Sequence, residues 1–122
     1  MTGCTPIILL SSERSGTNLL RALLSTHSKI VSPPPCGILD TLAPHQFRYF
    51  PPVGSAHMPE LIEDVVTLTK THMNPWDVEI NQLLVKERIE MPSFWEVFRI
   101  INEIYAEHHG CSFWFSKESG SF

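Results

Sequence analysis

The sequence predicts an α/β domain, a parallel sheet with helices packed on it, and three observations predict it. Ile7-Ile8-Leu9-Leu10 is a short apolar run of the kind buried on both faces of a parallel sheet. After the turn formers Ser11 to Gly16, Leu19, Leu20, Leu23 and Leu24 recur at helical spacing. A second strand candidate rich in aromatics, Cys111 to Phe115, comes only after several helical stretches. Strands alternating with helices imply right-handed crossovers. Ligands of such sheets gather at the carboxyl ends of the strands. Ser11 to Gly16 and Ser116 to Glu118 are both expected at strand ends, so they are placed to share one crevice.

The remaining elements follow in order. Ile30-Val31 reads as a short strand, cut off by Pro33-Pro34-Pro35, which lack backbone donors and force extended geometry. A short helix is expected from Ile38 to Leu42, and His45 to Met58, with Pro51, Pro52 and Gly54, reads as a loop. Pro59 suits a first helical turn, and Leu61, Val65 and Leu68 share one face of a helix running to about Lys70. Asn74-Pro75 breaks it, and Ile80 to Lys86 is expected to form another short helix. The strongest helical pattern starts at Pro92 and carries Phe94, Val97, Phe98, Ile101, Ile104 and Tyr105, with Gly110 placed to end it. Phe94, Trp95, Phe98 and Tyr105 are expected in the core rather than stacked on a cofactor.

The 122 residues, 43% hydrophobic and 18% charged, suit a single domain over 1–122 and exclude a solvated tail. Nine basic and thirteen acidic residues leave a net charge of −4, which argues against holding nucleic acid or an anionic membrane by bulk charge. Any anionic ligand is then held locally. No apolar window reaches the ~18 residues of a membrane span, and the start lacks a signal peptide's basic and apolar regions, so a cytoplasmic location is expected. Cys4, Cys36 and Cys111 form no C-x-x-C pair and predict reduced thiols rather than a disulfide framework or zinc site. Cys36 has no evident activating base beside it.

Between the first strand and the first helix, Ser12-Glu13-Arg14-Ser15-Gly16-Thr17-Asn18 has the parts of an anion cradle. Gly16 tolerates positive φ and lets backbone N–H groups approach an anion, and the helix start adds unpaired donors. Arg14 offers a planar fork to phosphate oxygens, and Ser15, Thr17 and Asn18 add short donors. A capped turn with a surface arginine uses the same residues. Aligned on the nucleotide-triphosphate loop G-x-x-x-x-G-K-[ST], Thr17 replaces the lysine and Asn18 the magnesium-holding hydroxyl. The fold expected is therefore P-loop-like, but for an anionic donor whose transfer needs no metal.

The run from Pro6 to Leu20 resembles the opening of the sulfotransferase family, whose first strand leads into a 5′-phosphosulfate-binding loop of the form [KR]-S-G-T-[TSN]-x-L. Ile30-Val31-Ser32-Pro33-Pro34 is similar to the short strand and proline pair of its bacterial-type branch. The resemblance covers about the first 45 residues well and the rest weakly. It implies 3′-phosphoadenosine 5′-phosphosulfate as co-substrate, a hydroxyl or amine on a small molecule or glycan as acceptor, and no metal. It places Arg14, Ser15, Gly16, Thr17 and Asn18 around the 5′-phosphate and Lys117 beside the transferring group.

Where some branches put a histidine two residues after the lysine, this chain has Ser119, and near the proline pair it has Pro35 and Cys36 where others put a carboxylate. Asp40 and then His45 are the nearest candidates for the general base. The family's 3′-phosphate signature lies further on than Phe122, so the resemblance implies the amino-terminal half of the fold, a truncated sulfotransferase-like domain. Two other classes fit the same residues: a metal-independent anion- or nucleotide-binding module without turnover, and an interaction protein that self-associates through an exposed sheet edge. Phe47, Tyr49 and Phe50 suit either an acceptor pocket or a loop tucked onto the core, and His108 and His109 suit a solvated helix end.

Overall fold

The computed structural model describes residues 5–11, 23, 26–34, 36–52, 54, 56–72 and 75–119. Their order is β1 (Thr5–Ser11), β2 (Ile30–Val31), α1 (Ile38–Leu42), a 3₁₀ segment (Ala43–Arg48), α2 (Met58–Thr71), α3 (Gln82–Arg88), α4 (Phe94–His108) and β3 (Phe113–Ser119). The fold is mixed α/β, a small three-stranded parallel sheet with flanking helices, in the order β1-β3-β2. The helix expected after Gly16 lies mostly outside the described residues. Its described part, Leu23, is helical and exposed, and its carbonyl accepts from the Thr26 N–H (3.3 Å) and hydroxyl (2.7 Å).

β1 and β3 pair from Thr5 with Phe113 to Ser11 with Ser119. β2 pairs only through Ile30 and Val31, opposite Phe113 and Trp114. The proline run explains why it stops. Phe113 donates to the Lys29 carbonyl at 3.0 Å, so alternate residues of β3 direct their backbone groups toward β2. The next bond to the Phe115 carbonyl would come from residue 33, a proline without an N–H. The buried hydroxyl of Ser32 donates to that carbonyl instead, at 3.1 Å.

α4 is the centre of the domain. Ser93 caps it, its Oγ accepting from the Glu96 N–H at 3.0 Å, so Pro92 lies before the cap rather than in the first turn as the sequence suggests. Gly110, at φ 68°, ends it as expected: the Cys111 N–H reaches the Ala106 carbonyl and the Gly110 N–H that of Glu107. Within α4 every residue from Val97 to Ala106 except Arg99 is buried, because the helix packs on β3 and also against α2 and α3. Buried Glu103 is held by Arg99, which also pairs with Glu96. These contacts keep the Glu96 carboxyl below its ordinary range, chiefly through the Arg99 hydrogen bond. Phe98 meets fully buried Trp114 edge-on at 5.8 Å.

Leu61, Val65 and Val66 of α2, Val85 of α3 and Ile38 and Leu42 of α1 complete the core. α2 spans the expected residues, whereas α3 begins two residues later than expected, because the Asn81 side chain caps it by accepting from the Leu83 (2.8 Å) and Leu84 (3.3 Å) N–H groups. The expected loop at 45–58 contains the end of the 3₁₀ segment. Tyr49 anchors it, its hydroxyl donating to Asp64 on α2 at 2.5 Å, while Phe50 packs on the core and Phe47 is exposed. Burial, then the Asp64 bond, push the Tyr49 phenol up to about 12. Trp95, expected in the core, is 45% exposed. It sits at the margin of the stripe formed by Val97, Phe98, Ile101 and Ile104 and leans on Phe98 at 5.7 Å. No helix among the described residues is long and apolar enough to cross a membrane.

Candidate functional site

The parallel register brings the carboxyl ends of β1 and β3 together at Ser11 and Ser119. The chain leaves β1 there to enter the predicted anion loop; Arg14, Ser15, Gly16, Thr17 and Asn18 themselves lie outside the described residues. Lys117 is within β3, opposite Leu9 and two residues before the end of the paired stretch. This corrects the expectation that Ser116 to Glu118 follow the strand. Pairing with all of β1 carries β3 on to Ser119, and its start moves from Cys111 to Phe113 because Cys111 is used in closing α4.

Beside this end, the segment after β2 turns away from the sheet. Pro33, Pro34, Cys36, Trp76, Asn102 and Ser116 line a narrow crevice of about 10 Å³, room for about one water. Its polar walls are tied down. The Trp76 indole donates to the Pro34 carbonyl at 2.6 Å, and Asn102 Nδ2 donates to the Phe98 carbonyl at 2.9 Å. Cys36 is buried, in keeping with a structural thiol. Trp76 links the proline turn to α4, its ring meeting Tyr105 edge-on at 5.0 Å, and Ser32 links it to β3.

Gly37 then adopts φ 71°, a left-handed conformation, and α1 begins. Asp40 sits in its first turn with its side chain in solvent, where it complements the helix dipole, while Ile38 and Leu42 point into the core. α1 itself packs on β3. His45 is exposed in the 3₁₀ segment, at the kink where φ is −110° and ψ 19°. The two candidate bases thus lie on consecutive exposed turns after the proline run. Asp40 is on the element that touches the strand carrying Lys117.

Sequence reasoning passed over Ser32, the buried hydroxyl that holds the start of the turn to β3, and Asn102, buried on α4 where it lines the crevice. The proline run was the available signal for Ser32, since a strand that ends in prolines leaves its neighbour's carbonyls needing another donor. A second polar cluster lies at the end of α4. The Tyr105 hydroxyl donates to Asp77 Oδ1 at 2.5 Å, and His109 Nε2 lies 3.2 Å from Asp77 Oδ2. The hydrogen bond from Tyr105 is the main cause that holds the Asp77 carboxyl below its ordinary range. His109 is therefore paired, while His108 is exposed. Among the described residues no group of three His, Cys, Asp or Glu side chains is placed to hold a metal ion.

No family model matches this chain, and no curated protein or solved structure matches it.

Proposed function

We propose that the chain is a P-loop-like, sulfotransferase-type domain that binds 3′-phosphoadenosine 5′-phosphosulfate at the carboxyl ends of β1 and β3 and serves transfer of its sulfuryl group to a hydroxyl or amine. The observation that carries this reading is the parallel β1–β3 register. The strand that leads into Arg14 to Asn18 and the strand that bears Lys117 run side by side to the same end of the sheet, the end at which ligands of parallel sheets bind.

In such a transfer the acceptor oxygen forms a bond to sulfur as the bond from sulfur to the bridging phosphate oxygen breaks, and charge collects on the departing phosphate. Arg14, Lys117 and the loop N–H groups supply the positive field that this charge needs. The acceptor's proton needs a base. Asp40 is the preferred candidate, a preference supported by the packing of α1 on β3, with His45 second. The lysine and hydroxyl that serve a metal-bound triphosphate are replaced by Thr17 and Asn18, so the proposed binding does not depend on magnesium.

Calorimetric titration with 3′-phosphoadenosine 5′-phosphate tests the reading. Binding is expected with and without a chelator, more tightly than ATP, and Arg14→Ala is expected to weaken it by about 1.5–3 kcal/mol through loss of charged hydrogen bonds. Affinity unchanged in Arg14→Ala, or lost on chelation, would count against it.

A further inference from the structure

We infer that His108 and His109, at the end of α4, bind a divalent transition-metal ion of the zinc–copper class, with the Asp77 carboxylate behind His109 as the group that orients it. The inference does not depend on the proposed function. α4 ends just before β3 begins, at the amino end of the sheet, opposite the end marked by Ser11 and Ser119. The two imidazole rings stand 5.5 Å apart between centroids, at an interplanar angle of 75°. With metal–nitrogen bonds of about 2.0–2.1 Å, two imidazoles on one tetrahedral ion hold their centroids about 5 Å apart. Adjacent helical residues diverge by about 100° around the axis, so the sequence spacing does not show this approach of the rings.

The surroundings of His109 are those of a metal-binding histidine. Its Nε2 lies 3.2 Å from Asp77 Oδ2, and its ring lies against that of Tyr105 at 4.6 Å. With Nε2–H donating to the carboxylate, Nδ1 carries the lone pair that a metal takes. A carboxylate on the far nitrogen of a metal-bound histidine fixes the ring and raises its basicity. The Tyr105 hydroxyl, donating to Asp77 Oδ1 at 2.5 Å, holds that carboxylate in turn. His108 is exposed, and the carboxyl end of the fifteen-residue α4 favours a cation beside it. Glu107, the carboxylate next in sequence, is committed to Arg88 by hydrogen bonds of 2.8 and 3.0 Å. The ion is therefore held by two nitrogens, with water in its other positions, as an exchangeable ligand rather than a structural centre. Imidazole ligands select zinc, copper or nickel over magnesium and calcium.

Zinc chloride added to the whole chain, followed by NMR of the histidine ring nitrogens, tests this on the native protein. His109 Nδ1 and one ring nitrogen of His108 are expected to shift together along a single saturation curve. Calorimetry is expected to show copper(II) binding more tightly than zinc. Asp77→Asn, which keeps both ligands, should weaken zinc binding about 10–100-fold, and His108→Ala and His109→Ala at least as much. His57→Ala is expected to leave the affinity unchanged. Circular dichroism checks that each variant is folded, and if one is not, the ring-nitrogen shifts of the native chain decide. Rings of His108 and His109 that do not respond to excess zinc would overturn the inference. So would saturation at other histidines with these two unmoved, and so would unchanged affinity in folded Asp77→Asn or in the folded double variant His108→Ala, His109→Ala.

Discussion

Asp77 shows how a solvent-facing carboxylate is tuned by its neighbours. It accepts from the Tyr105 hydroxyl and faces His109, and the result is a lowered carboxyl pKa. A carboxyl depressed in the folded state stabilises the fold above the unfolded value of about 3.9, and that contribution is lost as pH falls through the lowered folded value. Tyr105→Phe removes the largest cause, so the Asp77 titration midpoint, followed by carbon NMR of the side-chain carboxyl, is expected to move upward toward the ordinary range. An unchanged midpoint would mean that the hydrogen bond is not formed in solution. Asp77, Tyr105 and His109 could not be grouped from the sequence, because 28 positions separate the tyrosine from the carboxylate and only the packing of the segment before α3 onto the end of α4 unites them. Asp40 and His45, by contrast, were legible as the polar residues next to the proline run, and both are exposed where the chain leaves that run.

Among the elements, boundaries were set by caps that the sequence displays. Asn81 and Ser93 each satisfy amides at a helix start, and Gly110 closes α4 in a left-handed conformation. Replacing Asn81 or Ser93 by alanine is expected to cost about 0.5–2 kcal/mol in urea unfolding. α4 lies at the centre of the domain, so Ser93→Ala should lower the stability of the whole fold rather than fray one end. The strand boundaries were harder to place. Ser32 takes over from a proline that cannot donate, in a bond spanning 83 positions, and β3 extends past its apolar run because β1 is there to pair with it. Strand length depends on a partner in a way that helix length does not, since a helix closes its hydrogen bonds within itself.

For the molecule as a whole, the core gathers on α4 and β3, and buried area decides which aromatics matter. Trp114 is fully buried and Trp95 is 45% exposed. Trp114→Ala is expected to cost about 3–5 kcal/mol in chemical denaturation, and Trp95→Ala about 1 kcal/mol or less; equal losses would contradict the packing described. The sequence by itself determined that strands and helices alternate and where each described helix from α1 to α4 begins and ends to within a few residues. These are properties of contiguous residues: apolar period, caps, glycine and proline. Only the tertiary structure decided that the last strand lies between the first two, that Lys117 stands beside Leu9 within a strand, and that Trp95 turns outward while Trp114 is enclosed. Each of these depends on contacts between residues far apart in the chain, and a pattern that specifies a strand's two faces does not specify which strand will lie along its edge.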